Sequence, residues 1–248
     1  MPESIIVREG VQTSSIVLET PEPVAQRFTP PIPAYLVDHY GWVYLHPASI
    51  MVFDHSPVVS AILWGQYGRL KQAVFAEILP GGRVLQAACV YGDLTPGLAR
   101  LVGAGGHLDV VDIVHLQVAN CQRKLKGFPH AVARLADAAV PGGAPYDVVL
   151  CFFLLHELPD DRKRAVVDGL LECVAPGGKV VFIDYHKPHP LHPLKPVMNL
   201  VFKLLKPFAK RLWQTDIAGF ARDACQFHWR KQTFFSGLFQ KVVSVRPR

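Results

Sequence analysis

The central part of the chain alternates between short apolar runs and amphipathic stretches. Apolar runs of strand length that alternate with helical stretches at this spacing indicate a doubly wound, mostly parallel α/β sheet. Little regular structure is expected in the first 33 residues beyond a short strand at Ile5–Val7 or Ser15–Leu18, and residues 234–245 fit a closing hairpin. The predicted strands are Val84–Ala88, His107–Ile113, Ala131–Leu135, Tyr146–Phe153 and Lys179–Asp184, and the predicted helices are Thr95–Val102, Leu116–Lys126 and Asp160–Cys173.

The stretches on either side of this core differ from it in composition. Residues 34–79 have a helical pattern and many aromatic side chains, and Pro47 and Pro57 divide them into shorter pieces. We therefore expect one compact domain in three parts. These are an N-terminal arm and helical lid at 1–79, an α/β core at 80–185, and a substrate- or membrane-facing, apolar and basic helical insertion with closing strands at 186–248.

The composition is that of a globular protein without a membrane span. Of the 248 residues, 50% are hydrophobic and 19% are charged, which excludes a disordered chain. No apolar run approaches the roughly 20 residues of a transmembrane helix, and Met1–Gly10 lacks the apolar core of a signal peptide. The cysteines stand far apart without a CxxC pair, which favours reduced thiols in a cytoplasmic protein over a zinc site.

The positive charge is concentrated in one stretch. Residues 186–213 hold six Lys or Arg residues and no Asp or Glu, which equals the whole net charge of +6. These cations alternate with apolar side chains, so Pro196–Trp213 is typical of a segment that binds an anionic membrane surface rather than nucleic acid. The alternative is a pair of helices that covers a substrate and keeps its lysines in solvent.

A strand, a tight turn and a helix start follow one another at Arg83–Ala99, RVLQAACVYGDLTPGLA. The turn spans Cys89–Gly92, and the helix begins at Asp93. In an α/β protein this layout presents backbone N–H groups and a helix N-terminus to a ligand. We therefore expect a ligand site at this loop.

Two aspartates follow the next two strands. Asp112 ends the second strand about 20 residues past the turn, a spacing at which an acid accepts hydrogen bonds from both hydroxyls of a ribose. A cap on the next helix is the alternative, and the spacing favours the ribose. Asp137 follows the third strand. For Asp137, contact with an adenine amino group, with Ala138 supplying a backbone N–H, and a plain surface turn remain equally open.

Polar side chains also stand at the carboxyl ends of the fourth and fifth strands. The fourth strand is continuously apolar, as a central parallel strand should be, and His156 and Glu157 follow it. One of them could act as a general base; the alternative is that both cap and pack the next helix. Asp184 and Tyr185 end the fifth strand after a Pro-Gly-Gly turn.

The stretch Gly82–Tyr185 resembles class I S-adenosylmethionine-dependent methyltransferases, which have a Rossmann-like fold, and especially those that methylate ubiquinone and menaquinone precursors. The matching pieces are VLQAACVYGD, VVDI, LADAA, YDVVLCFFLLHEL and PGGKVVFIDY. Methyltransferases usually carry Asp or Glu at the position of Gln86 and Gly at that of Val90. The resemblance implies that S-adenosylmethionine is held by Gln86, Ala88, Cys89, Tyr91, Gly92, Asp93, Asp112, Ile113, Asp137, Ala138 and Phe153.

A narrower resemblance covers almost the whole chain. The segments YGWVYLHPASIMVFDHSPVVSAILWGQYGRL, CVYGDLTPGLA and FFSGLFQKVV are similar to the RquA family of rhodoquinone-biosynthesis proteins. This implies conversion of ubiquinone to rhodoquinone, as used in anaerobic respiration. A ring methoxy group is replaced by an amino group from S-adenosylmethionine, with manganese, on the inner face of the cytoplasmic membrane. A conventional quinone or lipid methyltransferase and a non-catalytic scaffold of quinone biosynthesis remain alternatives.

The resemblance makes Tyr91, Asp137 and His156 the candidate catalytic residues. With Gln86 in place of an acid, the pKa of the cofactor's α-amino group would fall, which favours the neutral, nucleophilic amine. Tyr91 either orients that amine or the quinone carbonyl, or packs over the adenosine.

The ligands of a manganese ion cannot be chosen from the sequence, and Asp93 and Asp184 are the candidates. Such an ion would polarise a quinone carbonyl as a Lewis acid. The spacing of His186, His189 and His192 between prolines looks like a metal site, but an exposed linker fits it better. The sequence does not predict the oligomeric state.

Overall fold

The computed structural model describes residues 32–143 and 145–248. The expected short strand at Ile5–Val7 or Ser15–Leu18 lies outside these residues. From residue 32 onward, four helices precede the sheet, and Pro47 and Pro57 stand in the first turns of the second and third, where a missing N–H costs nothing. These helices are α1 Ala34–Tyr44, α2 Pro47–Phe53, α3 Ser56–Ile62 and α4 Tyr67–Phe75.

A seven-stranded sheet forms the centre, with strand order β3-β2-β1-β4-β5-β7-β6. The first five strands pair in parallel, whereas β7 runs antiparallel to β5 and β6 antiparallel to β7. The predicted doubly wound sheet is therefore confirmed. The strands are β1 Arg83–Ala87, β2 His107–Asp112, β3 Ala131–Leu135, β4 Tyr146–Phe152, β5 Val174–Tyr185, β6 His228–Phe234 and β7 Phe239–Val245, and the helices between them are α5 Leu94–Val102, α6 His115–Lys124 and α7 Asp160–Glu172.

The sheet buries apolar side chains on both faces. Alternate residues of a strand point to opposite faces, so Val84 packs in one core layer with Leu70 of α4 and Leu98 of α5. Its neighbour Leu85 packs in the other layer with Val167 of α7. This two-sided burial explains why the central strands are continuously apolar in sequence.

Two predicted boundaries were wrong. Strand β5 begins at Val174 rather than Lys179, because Val174 already pairs with Tyr146 before the Pro-Gly-Gly turn shifts the register. The closing hairpin begins at His228 rather than Phe234. Strand β6 lies at the edge of the sheet and is mostly exposed, so its polar residues gave no apolar strand pattern.

The segment between β5 and β6 contains helix α8, Lys195–Leu204, followed by short 3-10 turns. Its buried residues Met198 and Phe202 belong to the same core cluster as Tyr185 at the end of β5. The buried Lys163 of α7 donates hydrogen bonds to the carbonyl oxygens of Leu158 and Phe208. These contacts fix the segment against the carboxyl edge of the sheet.

Candidate functional site

A cavity of about 430 Å³ opens at the carboxyl ends of β1, β2, β4 and β5. This is the edge at which doubly wound sheets bind ligands. Most of its lining is apolar or aromatic, and a few polar groups face it from the strand ends. Helices α1 and α3, the loops after β1, β2, β3 and β4, and the end of α8 all contribute to the walls, among them Tyr40, Trp64, Ala88, Tyr91, Asp112, Asp137, Phe153, His156, Tyr185, Val201 and Lys206.

Three cavity residues, Trp64, Ala88 and Phe153, have a backbone conformation that side chains rarely adopt. Two of them directly follow strands of the sheet: Ala88, with φ +69°, and Phe153, with φ +52°. Their backbone N–H groups are held by hydrogen bonds to the carbonyl oxygens of Val111 and Ile183, at 2.8 Å each. Left-handed residues other than glycine cost free energy and concentrate at functional sites. The strain marks the ends of β1 and β4 as the working part of the cavity.

Gln86 does not line the cavity. Its side chain is completely buried, donates to the carbonyl oxygen of Ala88 at 2.9 Å, and shares 3.0 Å hydrogen bonds with the Thr95 hydroxyl. Gln86 therefore supports the loop after β1 from the protein interior, on the side away from the cavity. The expectation that Gln86 contacts the cofactor is not met by this geometry.

The start of α5 is also covered by protein. The N–H of Gly92 donates to Asp54 Oδ1 at 2.8 Å, and the N–H groups of Asp93 and Leu94 donate to the Tyr67 hydroxyl at 3.1 and 2.9 Å. Neither Gly92 nor Asp93 lines the cavity. The helix N-terminus that the sequence offered to a ligand is thus capped by side chains of the helical lid.

Asp54 clamps the loop, and nothing in the sequence pattern singled it out. Its carboxylate also accepts hydrogen bonds from Lys124 Nζ at 2.7 Å and Asn120 Nδ2 at 2.9 Å, and its side chain is only 6% exposed. Lys124 in turn donates to the carbonyl oxygen of Val90 at 3.1 Å. A buried ion pair therefore holds the loop where methyltransferases usually have a glycine.

Asp112 lies at the cavity wall, as predicted. Its Oδ2 accepts a hydrogen bond from the N–H of Cys89 at 2.7 Å, and its Oδ1 accepts one from the N–H of Val114 at 2.8 Å. Burial raises the pKa of Asp112 to about 6, although these backbone donors act against that rise. Each oxygen keeps a second lone pair, so Asp112 can orient the loop, start α6 and accept from a ligand. Ile113 lines the cavity beside it.

Asp137 and Ala138 line the cavity too, but Asp137 is not a free carboxylate. Arg162 of α7 binds both its oxygens, at 2.7 and 2.6 Å, and the N–H of Ala139 donates to Oδ1 at 2.8 Å. Both carboxylate oxygens are therefore already paired with the Arg162 guanidinium. This geometry favours positioning of the loop over the expected catalytic role of Asp137.

The Tyr91 hydroxyl is hydrogen-bonded to residues of α1 and α6. It donates to the carbonyl oxygen of Val43 at 2.8 Å and accepts from Gln117 Nε2 at 2.9 Å. Its ring is stacked between Tyr44 and Phe53, with centroids 6.0 and 6.1 Å away. Burial raises the pKa of Tyr91 to about 12, so it stays protonated at neutral pH. The geometry favours the packing alternative over a catalytic role.

His156 forms the polar edge of the cavity. Its Nδ1 lies 3.0 Å from Asp184 Oδ1, although the ring is not aligned for a regular hydrogen bond. Its Nε2 lies 3.0 Å from the ammonium of Lys206. An ammonium can only donate, so Nε2 carries a lone pair and the ring proton is on Nδ1, facing Asp184. His156 is thus set up as a proton acceptor.

Glu157 is part of the same cluster but cannot be the base. Its Oε1 accepts hydrogen bonds from Lys206 Nζ at 2.8 Å and from the Tyr44 hydroxyl at 2.7 Å. Burial alone would raise the pKa of Glu157, but Lys206 and His156 together lower it to about 2. Of the two candidates after β4, the geometry leaves His156 as the proton acceptor, through Nε2.

Comparisons with known proteins find methyltransferases. Residues 84–178 match the methyltransferase domain family. A ubiquinone biosynthesis O-methyltransferase of Xylella fastidiosa is 30% identical over 41% of this chain and 41% of its own length. A ubiquinone/menaquinone biosynthesis C-methyltransferase of Vibrio parahaemolyticus is 29% identical over 65% of this chain and 63% of its own. The matched part thus spans less than two thirds of either relative.

A solved structure decides the fold. A SAM-dependent methyltransferase from Aquifex aeolicus superposes with a TM-score of 0.52 at 17% identity, covering 81% of this chain and 98% of that one. The chain has the class I methyltransferase fold. In this chain the loop after β1, Asp112 and the residues after β4 surround one cavity.

The donor groups of this class I core do not fit a manganese ion. Asp93 is outside the cavity and bound to Lys71 at 2.6 Å, and Asp184 is buried against His156 and the N–H of Tyr185. The part of the chain that the structure describes holds no group of three or more His, Cys, Asp or Glu side chains placed to bind a metal. Both candidate ligands are therefore corrected to structural roles.

The three spaced histidines also have structural partners. His186 Nδ1 lies 2.8 Å from the carbonyl oxygen of Gly237, and His192 Nε2 lies 3.1 Å from that of Phe235. His189 Nδ1 accepts from the N–H of Leu191 at 3.3 Å. The rings tie the linker after β5 to its surroundings.

Proposed function

We propose that this chain binds S-adenosylmethionine and uses it to modify the ring of a lipophilic quinone or quinol. The observation that carries the proposal is the position of the His156–Asp184 pair. His156 forms a polar edge of a mostly apolar and aromatic cavity, beside the loop typical of methyltransferases, and Asp184, which does not itself line the cavity, lies 3.0 Å from its Nδ1. Such a cavity suits an aromatic ring with an apolar tail and one reacting polar group.

The residues around the loop fit the cofactor. Asp112 has lone pairs for the ribose hydroxyls, Ala138 and Ile113 flank the place for an adenine, and Ala88 and Phe153 bring the backbone close to the cavity. S-adenosylmethionine, when bound, supplies an electrophilic methyl group. The lid helices cover this side and exclude water from it.

Methyl transfer to a ring oxygen is the reaction that this geometry and the named relatives support best. A ring hydroxyl that reaches His156 would lose its proton to Nε2. The carboxylate of Asp184 on the other side of the ring would stabilise the imidazolium. The centroids of the Tyr185 and His156 rings lie 4.9 Å apart. Tyr185 and the other aromatic walls would hold the substrate ring and the histidine in place.

Conversion of ubiquinone to rhodoquinone is the second candidate. The loop favours it, since Gln86 removes the usual carboxylate and is turned inward toward Thr95, so no acid from this position holds the cofactor's amine in its charged form. The donor groups of the described residues do not fit manganese.

We also propose that the enzyme docks on the inner, cytoplasmic face of an anionic membrane. Among residues 32–143 and 145–248, no helix has the length and apolar character to cross a bilayer. Apolar side chains are nonetheless exposed near the cavity, on α2 and α3 and along α8 beside the exposed lysines Lys203 and Lys210. The exposed apolar residues are Met51, Val52, Ile62, Trp64, Val197, Leu200, Leu204 and Leu205.

With this docking surface, each of the three parts of the chain has a separate role. In our proposal, residues up to 79 form the lid, 80–185 bind the cofactor, and 186–248 bring the substrate headgroup from the bilayer to His156. Ile62, Trp64, Val201 and Leu205 belong both to the cavity lining and to the exposed or half-exposed surface. A polyprenyl tail could therefore stay in lipid while its ring enters.

Labelled cofactor tests the proposal. Purified protein is incubated with S-adenosylmethionine that carries carbon-13 in its methyl group and nitrogen-15 in its α-amino group. Ubiquinone and a catechol-type ubiquinone precursor are offered separately, with and without manganese, and the quinone products are weighed. Carbon-13 in the product establishes methylation, and nitrogen-15 with loss of one methoxy group establishes amination. Neither label in any product would overturn the proposal.

A further inference from the structure

Lys206 brings a positive charge to the polar edge of the cavity. It follows the last turn of α8, and its Nζ lies 3.0 Å from His156 Nε2 and 2.8 Å from Glu157 Oε1. Its side chain is 23% exposed and lines the cavity. The other lysines of α8 and its flanks point to solvent or to the surface, among them Lys195, Lys203 and Lys210.

The position of Lys206 is held by several independent contacts. The backbone next to it is fixed because the buried Lys163 donates to the carbonyl oxygen of Phe208 at 3.0 Å. Its ammonium also lies 5.1 Å from the centre of the Tyr40 ring, a cation–π distance. A lysine so surrounded has lost the freedom of an exposed side chain. The contacts therefore hold its positive charge at the polar edge of the cavity, beside His156.

The charges around Lys206 leave room for a ligand. An ammonium has three N–H bonds, and two of them have partners, His156 and Glu157, among the described residues. The Glu157 carboxylate compensates the charge, and the Tyr44 hydroxyl shares its Oε1. Lys206 also lies against the Tyr40 ring, and both residues line the cavity.

We propose that Lys206 binds the ring oxygen of the substrate, next to the nitrogen that accepts its proton. This inference rests on the proposed function. A ring hydroxyl that displaces Lys206 Nζ from the lone pair of His156 Nε2 gives its proton to Nε2, and the phenolate that remains accepts a hydrogen bond from Lys206, which keeps all three of its protons. A quinone carbonyl would accept a hydrogen bond at the same point. The site therefore selects rings that carry an oxygen here.

Ionisation of a bound phenol reports this contact without any group transfer. The probe is 4-nitrocatechol, whose phenolate absorbs at a longer wavelength than its phenol, titrated with pH on the full chain without cofactor. We expect the bound probe to ionise at least one pH unit, or about tenfold in acidity, below the free probe. This shift should disappear in Lys206→Met and persist in the matched surface variant Lys203→Met.

Removal of Lys206 alone leaves the buried Glu157 carboxylate without its main partner, so a second variant is needed. The double variant Lys206→Met/Glu157→Gln removes both charges, and circular dichroism checks that it folds. It should bind the probe without the acidity shift. A normal shift in this double variant, or no shift in the wild type, would overturn the role of Lys206. A shift in the wild type together with failure of the labelled-cofactor experiment would overturn the transfer reaction alone.

Discussion

His156 Nδ1 and Asp184 Oδ1 lie 3.0 Å apart, across the carboxyl ends of β4 and β5. Both side chains are almost fully buried, at 4% and 1% exposed. Asp184 belongs to β5, and His156 lies in the 3-10 turn Leu155–Glu157 just after β4. The backbone N–H of His156 also donates to Asp184 Oδ2 at 3.2 Å, so the pair is held by the backbone as well as by the side chains.

Asp184→Asn should impair the base without unfolding the protein. The new amide would donate to Nδ1 and force the ring proton onto Nε2, where it blocks proton acceptance. We expect the transfer rate to fall on the order of 10²-fold or more, with little change in cofactor affinity. Single-turnover rates and calorimetric binding of S-adenosylhomocysteine measure the two effects. An equal loss of rate and of affinity would point to misfolding instead.

Gln86→Glu should destabilise the loop and should not improve methyl transfer. The substitution keeps the shape but replaces the N–H donor to Ala88 by a carboxylate in a fully buried place. Loss of this donor and burial of the acid should lower the free energy of unfolding by about 2 kcal/mol. Urea unfolding measures it, with Gln86→Met as the uncharged control. A gain in methyl transfer would show that Gln86 faces the cofactor after all.

The Asp54–Lys124 ion pair should hold the cofactor loop. Asp54→Asn leaves a buried lysine without its partner, and breaking such a pair costs about 3 kcal/mol. We expect a lower melting temperature and weaker binding of S-adenosylhomocysteine, since the N–H of Gly92 and the carbonyl oxygen of Val90 both depend on the pair. The double variant Asp54→Asn/Lys124→Met should recover part of the stability. If it is no more stable than either single variant, the pair is not the clamp.

Cofactor binding should weaken in mild acid because of Asp112. Its pKa is raised to about 6, so the carboxylate that accepts from the ribose becomes protonated between pH 7 and pH 5. Protonation favours the folded state here, so stability contributed by Asp112 is greatest below about pH 4 and falls as pH rises through 6. Affinity for S-adenosylhomocysteine should show the opposite trend and drop several-fold from pH 7.5 to pH 5.5.

Two variants separate the contribution of Asp112 from that of His156. In Asp112→Asn the affinity should be low and nearly independent of pH, whereas His156→Asn should keep the pH dependence. A pH dependence that survives in Asp112→Asn and vanishes in His156→Asn would assign it to the histidine.

The sheet was predictable because each strand is indicated by an apolar run of consecutive residues. The apolar runs of β1 to β4 fall within one residue of their predicted bounds, and Asp112, Asp137 and His156 reach one edge because parallel strands end together. The partners of these residues were not predictable. Arg162 stands 25 residues from Asp137, and Lys206 stands 50 residues from His156. Only the packing of α7 and α8 brings them together.

Dependence on residues distant in sequence also explains why the loop after β1 differs from the prediction. The direction of Gln86 depends on the Thr95 hydroxyl, and the capping of α5 depends on Asp54, 38 residues before Gly92. A pattern of residue types indicates that a loop can meet a ligand. It does not tell whether another part of the chain already occupies its N–H groups.

The most direct test of the account compares the wild type with His156→Asn in one reaction, with S-adenosylmethionine and each quinone acceptor. The measured quantity is the rate at which labelled quinone product forms, at a cofactor concentration that saturates both proteins. If His156 is the proton acceptor, we expect product with the wild type and a rate about 10²–10⁴-fold lower with the variant. Equal rates in the two proteins, or no product from the wild type with any acceptor, would contradict it.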